Sequence, residues 1–218
     1  MAELSAAQLL EITARTLAVS LSALVAALAL GVPVGIWLGA RSFRGREALV
    51  AIVNSGMGAP PVVIGLLVAL LLWRTGPLGG LGLMYTPGAM ALGQILIAVP
   101  LVVGVTLAAV AALDPNWELQ VRTLSVPPLW RVWLLLREIR QGLLAAVIAA
   151  LGGILSEVGA VMMVGGNIAG ETRVLTTAIL MRTRMGDFEA ALGLAAVLLG
   201  LMLVLAAGLT VIQQGGRR

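Results

Sequence analysis

Charged positions cut the chain into long stretches that carry none. Residues 16–40, 48–73, 75–113 and 190–216 contain no Asp, Glu or Arg. A helix needs about 20 apolar residues to cross a bilayer, so each stretch is long enough to span one. The stretch 75–113 opens with Thr75-Gly76-Pro77-Leu78-Gly79-Gly80-Leu81-Gly82, too rich in Gly and Pro for a helix, and its span is expected to start near Gly88. Residues 141–164 add a fifth apolar run with Glu157 as its single charge. A further crossing within 165–189 is disfavoured by Glu171, Arg173, Arg182, Arg184, Asp187 and Glu189. The pattern predicts an all-α, polytopic membrane bundle forming one domain over 1–218. Its five spans lie near 16–40, 48–73, 88–113, 141–164 and 190–212.

Composition agrees: 60% of the 218 residues are hydrophobic and 11% charged, far from the quarter charged of a soluble domain. With neither Cys nor His, the chain lacks the usual zinc ligands, disulfides and thiol nucleophiles. All 14 basic residues are Arg, which also removes Schiff-base chemistry and a Walker lysine, so no ATP site of that kind belongs to this chain. An intramembrane enzyme would need a catalytic constellation that these scattered acids do not form.

The net charge of +4 reflects arginines at cytoplasmic helix ends and gives no ground for a nucleic-acid partner. With 41–47, 114–140 and the C-terminus inside, the inner arginines are Arg41, Arg44, Arg46, Arg122, Arg131, Arg137, Arg140, Arg217 and Arg218. Arg15, Arg74, Arg173, Arg182 and Arg184 remain outside, so the N-terminus is external and the C-terminus cytoplasmic. Glu3 and Glu11 stand where a signal peptide is cationic, so a cleavable leader is not expected.

The segment 114–140 is too long for a plain connection. Asp114 suits an N-cap, Pro115 the first helical position, and Pro127-Pro128 stops the run. Trp117, Val121 and Leu124 fall at i, i+4 and i+7 beside Glu118 and Arg122, an amphipathic stripe fit to dock a partner; an interfacial helix on lipid headgroups would read the same way. A second helix, 129–140, is expected to lead into the fourth span.

This arrangement resembles the cytoplasmic coupling loop, the EAA motif, of permease subunits in bacterial ABC importers. Glu118 takes the acidic position, while Gln120-Val121 and Ser125 stand where the motif has an Ala pair and a Gly. The run Ser156-Glu157-Val158-Gly159-Ala160-Val161-Met162-Met163-Val164-Gly165-Gly166-Asn167-Ile168, followed by Thr172-Arg173-Val174-Leu175-Thr176-Thr177-Ala178-Ile179, is similar to the signature of tungstate-importer permeases, relatives of molybdate and sulfate permeases. Phe43-Arg44-Gly45-Arg46, Pro60-Pro61-Val62-Val63-Ile64-Gly65-Leu66 and Leu83-Met84-Tyr85-Thr86-Pro87 extend the likeness over roughly 16–212.

The resemblance implies a type I ABC importer permease in the cell (inner) membrane. It would form a homodimer with cytoplasmic ATPase subunits, which hold ATP and Mg, and receive its oxyanion from an extracytoplasmic binding protein. Trp117, Glu118, Val121, Arg122, Leu124 and Ser125 would couple to the ATPase. A molybdate or sulfate permease, or an ATPase-independent secondary transporter, is the alternative; the last usually shows an internal repeat, and no convincing one is found.

Physical chemistry adds candidates for the substrate path or gate. Hydroxyls, amides and helix N–H groups let a tetrahedral dianion pass, whereas full pairing with Arg would trap it. Asn54 and Ser55 ahead of the helix-breaking Pro60-Pro61 meet that description, equally with a packing bend. Glu157 must be paired, protonated or solvated, either as a gate or interface ion pair or through a hydrogen bond to nearby backbone. Asn167, Thr172 and Arg173 fall in an outer loop before a short helix, 174–183, where Arg173 would steer an anion; Arg182 and Arg184 read as solvated-loop arginines.

Overall fold

The computed structural model describes residues 5–215, and these form an all-helical bundle. Helix α1 (Ala6–Ala40) begins at Ser5, whose hydroxyl accepts from the Gln8 N–H while the Gln8 side chain accepts from the Ser5 N–H. That reciprocal cap fixes where the chain enters the helix. Pro33 removes one intrahelical bond but does not end α1, which runs on to Ala40.

Its main partner is α4 (Pro87–Ala111), capped by the Thr86 hydroxyl and started by Pro87 at the position the sequence indicates. Gly31, Gly35 and Gly39 of α1 lie against Val102, Thr106 and Val110 of α4. Both sets advance by four residues, one helical turn, in the same direction, so α1 and α4 run parallel as first and third crossings must. A Cβ at Gly35 would sit 2.6 Å from the Thr106 Cβ and 2.8 Å from the Val103 carbonyl, which is why the seam needs glycine.

The second apolar stretch is not one straight rod. Helices α2 (Arg46–Met57) and α3 (Pro61–Leu72) meet at 101° across Gly58-Ala59-Pro60. Pro60 and Pro61 cannot donate the hydrogen bonds that would continue α2, so the helix restarts in a new direction. The fourth stretch is also interrupted. Helix α7 (Arg140–Ser156) ends one residue before Glu157, and α8 (Gly159–Gly165) follows as a separate short helix. Upstream, α6 (Pro128–Glu138) joins α7 at 64°, so the apolar helix pair that could make one bent span here runs 128–156, earlier than the expected 141–164.

Helix α9 (Leu175–Arg184) matches the short helix expected at 174–183, and α10 (Phe188–Gly215) follows it. By length and composition α1, α4 and α10 can each cross a membrane, and counting each bent pair as one span brings the total to five. The core joins α1, α4 and α7 through Ala23, Ala27, Ala98, Val102, Ala150 and Ile154. A second cluster, including Val68, Met90, Val161 and Val174, ties α3, α4, α8 and the start of α9 together.

Candidate functional site: a coupling face and an outer loop

Two polar regions lie at opposite ends of α1. At its C-terminal end, helix α5 (Trp117–Thr123) hangs below α4. The Asp114 carboxylate accepts from the Asn116 N–H at 2.7 Å and the Asp114 carbonyl from the Trp117 N–H at 2.9 Å, the capping the sequence indicates. Ser125 has φ 51°, a left-handed residue that stops the helix, and the Arg131 side chain donates to the Val126 carbonyl at 2.7 Å, tying α5 to α6.

The expected stripe of Trp117, Val121 and Leu124 divides. Val121 is buried, and Trp117 packs on the cluster of Val110, Leu135 and Ile139. Leu124 lies one residue past the helix and is 76% exposed, and Leu119 is 64% exposed. Trp117 and Val121 therefore anchor α5, and Leu119 and Leu124 stay exposed among the polar Glu118, Gln120 and Thr123. Beside it a cleft of about 410 Å³ is lined by residues including Ala40, Trp117, Glu118 and Arg131, and a neighbouring space by Trp37, Phe43 and Glu118. Ser125 is exposed with these groups, and the Arg122 side chain lies outside the described residues, as do Arg217 and Arg218.

At the N-terminal end of α1 stands the loop 166–174. Gly166, Asn167 and Gly170 all have positive φ, which folds the loop tightly over Thr172. The Thr172 hydroxyl is fully buried; it donates to the Gly165 carbonyl at 2.5 Å and accepts from the Ile168 N–H at 2.9 Å. Arg173 donates to the Asn167 side-chain oxygen and carbonyl at 3.3 and 3.4 Å. Thr172 thus sets the loop, Asn167 orients Arg173, and the three expected outer residues belong to one arrangement.

Glu157 is 8% exposed and sits at the α7–α8 break. Its carboxylate accepts from the Ala160 N–H at 2.8 Å, and its carbonyl accepts from the Thr176 hydroxyl at 3.2 Å. The backbone hydrogen bond expected of it is therefore present, and within this chain no Arg lies in ion-pair distance among the described residues. Asn54 and Ser55 are exposed on α2 next to the Pro60-Pro61 elbow. A Cβ at Gly159 would lie 2.7 Å from Val62, so the elbow and the Glu157 break are side by side. Among the described residues no hydrogen bond joins Asn54 or Ser55 to Asn167 or Arg173.

The sequence gives no sign of Arg15. Its guanidinium donates to the Gly170 carbonyl at 2.7 Å and the Arg173 carbonyl at 3.1 Å, while Thr16 accepts from the Leu175 N–H at 2.9 Å. These contacts cross more than 150 positions, beyond any local pattern. Arg182, expected in a solvated loop, has a side chain only 16% exposed and pairs with Asp187 at 2.8 Å; Arg184 is exposed as expected. No group of three or more metal-ligating side chains occurs among the described residues.

Residues 31–216 match the family model of the binding-protein-dependent transport system inner membrane component. The chain belongs to this permease family. The permease is 40% identical over 206 residues to a probable anion ABC transporter permease protein of Haloferax volcanii, spanning 92% of the present chain and 89% of that one. It is 41% identical over 181 residues to the tungstate uptake system permease protein TupB of Peptoclostridium acidaminophilum, 83% and 79% of the two chains. Among solved structures, a chain of the MetNI methionine ABC transporter in its inward facing conformations aligns over 100% of both chains with TM-score 0.77 at 17% identity, which shows the shared fold. The permease is thus a multi-pass inner-membrane, non-catalytic subunit of an ABC system, in which ATP is handled by a separate ATPase and solute is brought by a binding protein.

Proposed function

We propose that the permease forms the path of an oxyanion importer whose cargo is tungstate. The observation that carries this reading is about 40% identity over most of the chain to permeases named for anion and for tungstate uptake. Relatives named for sulfate and molybdenum transport, at 32% and 28% identity, make those tetrahedral oxyanions the second reading. An ATPase-independent secondary transporter has no support from a binding-protein-dependent family.

In this account two copies enclose the path, since five spans barely surround a wetted channel. Helix α5 lies in the cytoplasm and inserts Leu119 and Leu124 into a cleft on the ATPase, with Glu118 and Ser125 around them and Trp117 and Val121 holding the helix from within. The ends of α1 then fall on opposite sides, which puts the N-terminus and the loop 166–174 outside and the C-terminus inside. Arg15 and Ala40 are separated by about 38 Å along α1 at 1.5 Å per residue, more than the hydrocarbon thickness.

Asn54 and Ser55 offer the dianion amide and hydroxyl groups beside the Pro60-Pro61 elbow, and Glu157 holds the adjoining break in shape without touching the anion. Asn167 and Arg173 form the outer entrance, in a loop that the buried Thr172 holds from within. The test is uptake by the permease reconstituted with its ATPase and binding protein: labelled tungstate should accumulate with ATP and be displaced by unlabelled tungstate far better than by sulfate. Accumulation of sulfate with tungstate indifferent would overturn the cargo.

A further inference from the structure

Three arginines meet at the outer end of the bundle. Arg15 from α1, Arg173 from the loop and Arg182 from α9 line one cavity of about 110 Å³, with Glu11 at its edge. Like charges converge there only if something offsets them. Glu11 pairs with Arg15 at 2.6 Å and Asp187 with Arg182 at 2.8 Å, which leaves Arg173 with no carboxylate in ion-pair range among the described residues. The side chains of Arg15 and Arg182 are 14% and 16% exposed, so both guanidinium groups are largely withdrawn from water.

Their donors are not exhausted. A guanidinium has five N–H groups. Arg182 uses one on Asp187, and its Nε is buried with no acceptor. Arg173 spends two on long bonds to Asn167. The Arg182 Nε is closed to solvent and so to a ligand, but the three side chains line one cavity and an anion with several oxygens would take up the remaining N–H groups of all of them at once.

The geometry points to an external site for one tetrahedral oxyanion, held by Arg15, Arg173 and Arg182 before it enters the path. The assignment rests on the oxyanion reading above. The cavity holds several water volumes, enough for a five-atom anion and not for a large organic one. Capture weakens with ionic strength because the cavity is open to water on one side. Occupancy also ties α1, the loop and α9 together, as each supplies one arginine.

The permease with its ATPase, in discs of zwitterionic lipid, provides the test. Sodium tungstate is titrated while amide exchange is followed across 166–184 and binding is measured by equilibrium dialysis. The expected result is one tungstate per chain, slowed exchange in that segment, and affinity reduced about tenfold or more by Arg173→Gln and by Arg182→Gln, with Arg74→Gln unchanged. No binding by the unaltered chain, or equal binding by it and by both pocket variants, overturns the site. A phosphate headgroup shares the ligand chemistry: full protection in anionic-lipid discs before any tungstate is added, with none from tungstate in zwitterionic discs, gives the pocket to lipid and also overturns it. Uptake with the binding protein is measured on the same assembly. Uptake without pocket binding leaves the importer reading standing alone, while pocket binding without uptake of any oxyanion sinks the importer reading instead.

Discussion

Gly35→Ala tests the seam between α1 and α4 most directly. The added methyl would lie 2.6 Å from the Thr106 Cβ and 2.8 Å from the Val103 carbonyl, where ordinary contact starts at 3.4 Å. Both obstructing atoms are fixed to the backbone, so no rotamer change relieves them and the helices must part by about 0.8 Å, the difference between 3.4 and 2.6 Å. Overfilling a packed site costs about 1–3 kcal/mol, and replacing a mid-helix Gly by Ala returns up to about 1 kcal/mol. The net expectation is a loss of about 0–2 kcal/mol for Gly35→Ala. Gly200→Ala, where a Cβ meets nothing within 4 Å, should gain a few tenths to about 1 kcal/mol. The two variants should therefore separate by about 1–3 kcal/mol. Thermal unfolding in detergent, followed by Trp fluorescence and by loss of the monodisperse peak, reads that separation. Equal midpoints for the two variants would refute the close-contact seam, since helix propensity acts alike on both.

Leu124→Glu should abolish co-purification of the ATPase while leaving insertion and thermal stability unchanged, because this side chain is exposed; retained association would remove α5 from the coupling role. Glu157→Gln keeps an oxygen for the Ala160 N–H and should stay within about 1 kcal/mol of the unaltered chain, whereas Glu157→Leu should cost about 1–2 kcal/mol in thermal unfolding. Thr172→Val leaves the Gly165 carbonyl and the Ile168 N–H without a partner and should cost about 1–3 kcal/mol, with faster amide exchange confined to 166–174. Unchanged exchange there would mean that the hydroxyl does not hold the loop.

Crossings were legible in the sequence wherever charge avoidance alone defines them. The start of α4 follows from Thr86-Pro87, and the cap of the coupling segment from Asp114, because caps and prolines act within a turn. The elbow at Pro60-Pro61 was visible as a break but not as an angle, since direction depends on what α3 packs against. Within 141–164 the break was not visible, since nothing between Ser156 and Gly159 forbids a helix; there the Glu157 carboxylate accepts from the Ala160 N–H and its carbonyl from the Thr176 hydroxyl. Trp117, Val121 and Leu124 read as one docking stripe because periodicity assumes the helix continues and does not say which side neighbours cover, whereas Ser125 ends the helix, Val121 is buried and Leu124 alone of the three is exposed. Arg15 and Arg182 carry no local mark. Their meaning comes only from contacts that bring α1, the loop and α9 together.

Because the glycine seam sets backbone nearly against backbone, α1 and α4 cannot slide without collision or splay without giving up that close contact, and they behave mechanically as a single beam. A transporter must nevertheless admit solute from one side and discharge it on the other. The strain of that cycle then has to be taken up where the hydrogen-bond ladder is already open, at the α2–α3 elbow and the adjoining gap after α7. Stiffness in one helix pair thereby dictates where the molecule flexes.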